Sequence, residues 1–162
     1  MADEVLKHRK GEHPAGDLGQ IILWVVFTVI WVLDSFLLKL TTTPAAYIPL
    51  LIRLVVAAVI LGLGFYLMAI AHFIVDEKKR PAGVVRSGAF KYVRHPLYLA
   101  ALLFYLGVTV TTLSLACVGV FVVIFLFYNY IAGYEEKLLI AKFGDSYREY
   151  IKRTGRWLPK FT

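Results

Sequence analysis

Apolar positions fill four long stretches of this chain, and the polar positions collect between them. From Leu18 to Leu40 the apolar run is long enough to cross a bilayer as a helix, which takes roughly 20 residues. Asp34 and Lys39 interrupt it near its far end. Thr41-Thr42-Thr43-Pro44 then ends the helix, because Pro44 has no backbone donor and biases Thr43 away from the α region. A second apolar stretch, about 48–75 with Arg53 near its start, is long enough to tilt or to project beyond the hydrocarbon. Leu97 to Ala132 contains no charged residue, too long for one crossing and sufficient for two short ones. Thr111-Thr112-Leu113-Ser114 is the natural break between helices of about 97–111 and 115–136, the second reaching past the membrane into Tyr134-Glu135-Glu136.

The pattern predicts an all-α polytopic membrane protein with four transmembrane helices (about 18–40, 48–75, 97–111 and 115–136). Residues 1–17 read as an arm and 18–162 as a single domain. In 137–162, Leu139, Ile140, Phe143, Tyr147, Tyr150 and Ile151 alternate with charges. That is an amphipathic helix for the membrane interface, broken at Gly144, with Trp157 as an interfacial anchor and the whole tail able to cover a pocket.

Composition agrees with this class. Hydrophobic residues make up 59% of the chain and aromatic residues 15%, with a mean hydropathy of +0.69. A soluble fold of 162 residues exposes too much of its surface to hide that content. The first 17 residues mix both charge signs and precede a stretch of full membrane length, so a cleaved signal is not expected. Cys117 lies in an apolar run and reads as a packing residue, its thiol pushed toward the neutral form there.

Charge distribution sets the expected topology. Of 18 Lys and Arg, 3 lie in the N-terminal arm, 6 between Lys78 and Arg94, and 7 from Lys137 onward. The positive-inside rule then places both termini and the central loop in the cytoplasm, which four crossings satisfy. The net charge of +7 is explained by anionic lipid at that face, so nucleic acid is not an expected partner. His8, His13, His72 and His95 are scattered, and no metal site is expected.

The chemistry concentrates at the predicted cytoplasmic mouths. Pro81, Gly83 and Gly88 let the loop 76–93 fold back and present backbone groups at close range, and Ser87-Gly88-Ala89-Phe90 and Tyr92 suit a flat heteroaromatic ring. In Arg94-His95-Pro96-Leu97-Tyr98, Pro96 fits the first turn of the third helix, with His95 near its N-cap and Tyr98 a turn further in. Glu135-Glu136 puts two carboxylates beside a negative leaflet, which needs a positive partner, from the protein or from a ligand. Adjacent helical residues point about 100° apart, so one carboxylate at most is expected to face a given pocket squarely.

Taken in order, Ser87-Gly88-Ala89-Phe90, Arg94-His95-Pro96-Leu97-Tyr98, Glu135-Glu136, and Phe143-Gly144 through Tyr147 and Tyr150 to Pro159 resemble integral-membrane methyltransferases. That family includes isoprenylcysteine carboxyl methyltransferase and the phospholipid N-methyltransferases. The resemblance implies S-adenosylmethionine as a methyl donor bound at the cytoplasmic face, and a lipid or other lipophilic acceptor. It implies a pocket lined by the backbone of Gly83, Val84 and Val85, with Phe90 in the place of a family aromatic, and direct contacts from His95, Pro96 and Tyr98. Glu135 would hold a polar group of the cofactor with Glu136 as partner, and Arg94 would orient an anionic acceptor as a catalytic residue. Gly62-Leu63-Gly64 is similar to a family glycine pair but reads as helix packing. Ile131 stands where carboxyl methyltransferases of the family carry an Arg, which speaks against a prenylcysteine carboxylate. Two other functions fit parts of the pattern: an NADPH-dependent reductase similar to sterol reductases, which share a His-Pro-x-Tyr segment, and a non-enzymatic membrane assembly component.

Overall fold

The computed structural model describes residues 16–75 and 83–160. The N-terminal arm through Ala15, and the loop residues Asp76 to Ala82 with Pro81, lie outside the described residues. Among the described residues the secondary structure is helical, with one isolated bridge between Val93 and Gly155 and no strand.

Helix α1 (Gly16–Val32) runs on into a π-helical turn (Leu33–Leu38), and a 3-10 turn (Thr43–Ala46) holds Pro44 near its start. Helix α2 (Leu50–Val75) follows, then a 3-10 turn (Gly88–Lys91), α3 (Pro96–Thr112), α4 (Leu115–Phe143) and α5 (Asp145–Arg153). Three stretches, Gly16–Leu38, Leu50–Ile74 and Leu115–Phe143, are long and apolar enough to span a bilayer. Helix α3 is apolar but has 17 residues, about 25 Å of rise against a hydrocarbon core of about 30 Å. Length and composition therefore establish three spans.

Helix α3 stops at Leu113, whose φ of 50° is left-handed, and Ser114 starts α4 by accepting from the Cys117 N–H at 3.1 Å. Helix α4 continues seven residues past Glu136, because Lys137 to Phe143 contains no helix breaker. It ends at Gly144, where φ is +56°, a conformation that favours glycine.

Helix α2 lies along α3, and α1 and α3 both pack on α4. At Gly64 an added Cβ would sit 3.3 Å from the Ala100 carbonyl oxygen and from the Leu103 Cβ, so this glycine serves the α2–α3 approach, while Gly62 meets nothing within 4 Å. Phe27, Leu102, Tyr105, Cys117, Ile124, Tyr128 and Ile131 form the buried core between α1, α3 and α4. Outward-facing Leu51, Val59 and Phe65 are exposed, as lipid-facing side chains should be.

At the end of the bundle away from Arg94, Asp34 accepts from the Thr41 N–H at 3.0 Å and from the hydroxyls of Thr41 and Ser114 at 2.5 Å each. Arg53 donates instead to the carbonyls of Ile48 at 3.1 Å and Thr111 at 2.8 Å. The two charges near this end thus serve separate local networks rather than pairing.

Candidate active site

The approach to α3 is built by Gly88 and Pro96. Gly88 has φ of +55°, and a Cβ there would sit 2.2 Å from the Ile74 Cδ1, so glycine lets the 3-10 turn lie against α2. Pro96 biases His95 away from the α region, and His95 accordingly has φ of −123° and ψ of 64°. That bend turns the imidazole inward, where His95 is buried.

Three contacts stitch this approach to the tail. Arg86 Nη2 donates to the Ser146 carbonyl at 2.7 Å, the Tyr150 hydroxyl donates to the Phe90 carbonyl at 2.6 Å, and the Arg94 N–H donates to the Gly155 carbonyl at 2.9 Å. Burial pushes the Tyr150 phenol up to about 12, so it stays a donor.

Between these segments lies one buried polar cluster. The Tyr98 hydroxyl donates to Glu135 Oε1. The His95 ring stacks parallel to the Tyr98 ring, centroids 5.6 Å apart. His95 Nδ1 lies 3.6 Å from Glu135 Oε2, and its Nε2 lies 3.1 Å from Glu136 Oε1. The imidazole therefore lies between both carboxylates.

Glu136 is also the hub of an arginine clamp. Arg94 Nε donates to its Oε1 at 2.9 Å, Arg156 Nε to the same oxygen at 3.0 Å, and Arg156 Nη2 to Oε2 at 2.6 Å. Arg94 Nη1 reaches the carbonyls of Ile151, at 3.3 Å, and of Thr154. The carboxylate raises the Arg156 pKa further, so the clamp is fixed in its charged form. Arg94 and Glu136 thus bind protein groups: together they hold the tail over the entrance of α3.

For His95 desolvation is the largest influence and lowers its pKa from 6.5, opposed by the Glu136 hydrogen bond and charge and reinforced by Arg94 and Arg156. The neutral imidazole then donates from Nε2 to Glu136 and presents the Nδ1 lone pair beside Glu135. The unfolded chain binds the extra proton more readily, so stability rises with pH across this titration. Thermal unfolding in detergent should be flat above about pH 7 and decline as pH falls below 6.5, with His95→Gln removing the part due to this ring. Among the described residues, the charged and titratable groups facing it are Arg94, Tyr98, Glu135, Glu136 and Arg156.

The other expected site residues occupy different surroundings. Gly83 is exposed and Val84 and Val85 are half-buried. Phe90 is half-buried beside Tyr150, and Pro96 is fully buried beneath the histidine. Ile131 is part of the sealed core.

Two members of the cluster, Asn129 and Arg156, have no role in the sequence reading. Asn129 Oδ1 accepts from Arg156 Nη1 at 2.9 Å and from Trp157 Nε1 at 3.2 Å, and the Trp157 ring lies 6.1 Å from that of His95. Asn129 is the sole carboxamide between Leu97 and Ala132, seven residues before Glu136 and so on its face of α4. A lone amide in so apolar a run is costly and was the available signal. Arg156 lies within the matching segment Tyr150 to Pro159, but nothing there marked it as a partner of Glu136.

A phospholipid methyltransferase family model matches residues 42–146, more than half of the chain. Protein-S-isoprenylcysteine O-methyltransferase of Schizosaccharomyces pombe is 28% identical over 90 residues, which cover 55% of this chain and 38% of that protein. Methanethiol S-methyltransferase 1 of Bradyrhizobium diazoefficiens is 28% identical over 95 residues, 59% of this chain and 33% of the relative. Cobalt-zinc-cadmium resistance protein CzcN of Cupriavidus metallidurans is 35% identical over 80 residues, 49% and 37% of the two chains. The matched part is about a third of the length of each of these relatives. The model match takes in the whole stretch from Gly88 through Glu136, including His95, Tyr98 and Glu135, and with it the chain belongs to the phospholipid methyltransferase family.

Proposed function

We propose that this chain catalyses methyl transfer from S-adenosylmethionine to a lipophilic acceptor at the cytoplasmic membrane face. The observation that carries the reading is the junction of two helix ends, Tyr98 bonded to Glu135 and His95 to Glu136, in one buried cluster below the loop 83–93. In this reading α3 is a fourth crossing, with both termini on the cytoplasmic side as the distribution of the 18 basic residues favours.

The donor set suits the cofactor. Glu135 and the Nδ1 of neutral His95 form an edge of two acceptors, which matches an ammonium group or ribose hydroxyls. Glu136 suits it less, since its oxygens already receive Arg94, Arg156 and His95. Glu135, His95 and Tyr98 would therefore hold the cofactor, with Phe90 and the backbone of Gly83, Val84 and Val85 along its flat part. Arg94, Glu136 and Pro96 act as positioning residues.

When bound, S-adenosylmethionine supplies an electrophilic methyl group on a sulfonium. The chain contributes alignment and dryness: Trp157, Tyr98 and Tyr128 surround the cluster with aromatic surface, and the clamped tail screens it from water. A thiolate or carboxylate acceptor needs no base here. An amine acceptor must lose its proton first, and with the His95 Nδ1 engaged by the cofactor the cluster offers no dedicated base.

The test is calorimetric titration of the detergent-solubilised protein with S-adenosylmethionine and with NADPH, followed by incubation of membranes with methyl-labelled donor. Binding of the first alone, with label entering the organic phase, is expected. Binding of NADPH alone would transfer the site to the reductases, and binding of neither would leave an assembly component.

A further inference from the structure

Of the two arginines in the clamp, Arg156 is the less enclosed: its side chain is 27% exposed, against 7% for Arg94. Glu136 and Asn129 take three of its five N–H groups, through Nε, Nη2 and Nη1. One N–H on each terminal nitrogen is left over, and there is space beside them. The α4 residue facing the guanidinium is Gly133, where a Cβ would lie 3.8 Å from Nη2 and 3.9 Å from Nη1. Those are ordinary van der Waals distances, so the missing methyl leaves an atom-sized gap against the terminal nitrogens. The gap adjoins the polar cluster, because Arg156 Nε and His95 Nε2 touch the same Glu136 oxygen. Trp157, which shares Asn129 with Arg156, stands between the His95 ring and the exposed ring of Phe125, with centroids 6.1 and 5.9 Å away. Arg156 therefore lies where the cluster meets the bilayer. It follows the stretch 42–146 that the family model matches, so the match gives it no role.

Charge balance says what such a gap would hold. Arg94 and Arg156 offset Glu135 and Glu136, and with a neutral imidazole the cluster carries no net charge. S-adenosylmethionine brings a net positive charge to it, from a sulfonium and an ammonium against a single carboxylate. A cationic amine acceptor would add a second uncompensated charge to a largely buried site, whereas an anion restores neutrality. An anionic nucleophile also needs no base, and the cluster has none to offer an amine.

Resting on the methyl-transfer reading, we infer that the outward edge of Arg156 is an anion subsite, which selects an acceptor whose nucleophilic group is a thiolate or a carboxylate on a lipophilic body. In the transfer a lone pair of the acceptor forms the new bond to the methyl carbon, and the methyl–sulfonium bond gives its electron pair to the donor sulfur. No proton moves, and the positive charge on sulfur cancels the negative charge on the acceptor. Because the anion loses its charge as the bond forms, Arg156 binds the ground state of the acceptor, and its loss appears in KM rather than in kcat.

The probes are octanoate, octanethiol and octylamine, which share a chain and differ in their heads, with the protein in phosphatidylcholine nanodiscs. Calorimetry without the methyl donor, against empty nanodiscs, should show octanoate bound and octylamine not. Arg156→Lys keeps a cation for Glu136 but loses the forked N–H pair, and should weaken octanoate about 10- to 100-fold. Gly133→Ala fills the gap and should weaken it by about 5-fold or more. Both variants should keep their S-adenosylmethionine affinity. Methyl transfer to octanoate or to octanethiol decides between carboxylate and thiolate, and both substitutions should raise KM for that probe with kcat little changed. Octylamine bound or methylated in preference to the two acids, or octanoate affinity that ignores both substitutions, would overturn the subsite. Octanoate held through Arg156 by a protein that binds no S-adenosylmethionine would instead overturn the methyl-transfer reading and leave the anion site standing.

Discussion

Glu136→Ala should destabilise the protein by about 3–5 kcal/mol, because it leaves buried guanidinium groups without their carboxylate. The Arg94 side chain is 7% exposed and that of Glu136 9%, so water cannot replace the lost partner. Arg156 is 27% exposed and recovers part of its solvation, so it contributes less to the loss than Arg94. At about 2–4 °C per kcal/mol for a chain of this size, the unfolding midpoint should fall by about 6–20 °C. Limited proteolysis should report the same event locally, since the helix that carries the exposed Arg148 and Arg153 can unfold into the trypsin site once Arg94 and Arg156 release the tail. Replacing all three members together, with Arg94→Met, Glu136→Leu and Arg156→Met, should recover much of the midpoint, because the buried charges go as a set. A single Glu136→Ala variant with an unshifted midpoint would show that the clamp carries no stability.

The clamp also shows where sequence patterning stops being informative. Helix existence was legible because membrane helices must satisfy their backbone internally and be apolar along their length, a strong one-dimensional signal. The break at Gly144 was legible for a similar reason, since a residue with φ of +56° at the end of a helix is usually glycine. The extra length of α4 was not, because Lys137 to Phe143 reads equally as a separate amphipathic segment or as a continuation. The division of Leu97 to Ala132 at 111–114 was legible from its length, and the helices Pro96–Thr112 and Leu115–Phe143 meet there.

Residues of the site divide along the same line. His95, Tyr98 and Glu135 stood out because polar groups at the mouth of apolar helices are expensive, and the structure brings those three together. Arg94 and Glu136 stood out equally, yet they bind each other and the tail, and Glu136 binds His95 besides. No sequence pattern distinguishes a carboxylate that waits for a ligand from one that already holds two arginines. The partners that decide it, Asn129 and Arg156, lie 27 residues apart and meet only in three dimensions.

This division makes the two adjacent glutamates separable by experiment. Glu135→Gln should lower S-adenosylmethionine affinity about 10- to 100-fold, equivalent to one hydrogen bond to a charged group at roughly 1.5–3 kcal/mol. The substituted carboxamide keeps an oxygen for the Tyr98 hydroxyl, so the unfolding midpoint should move little. Tyr98→Phe should behave in the same direction with a smaller loss, because it removes a donor to the carboxylate and leaves the charge. Calorimetry in the same detergent as the stability measurements reads both variants. The expected contrast is loss of affinity with retained stability at Glu135, against loss of stability first at Glu136. Unchanged affinity in Glu135→Gln would remove this carboxylate from the cofactor site. If affinity fell only in step with the unfolding midpoint, both glutamates would belong to the scaffold, and the cofactor would have to be sought along the loop at Gly83, Val84 and Val85.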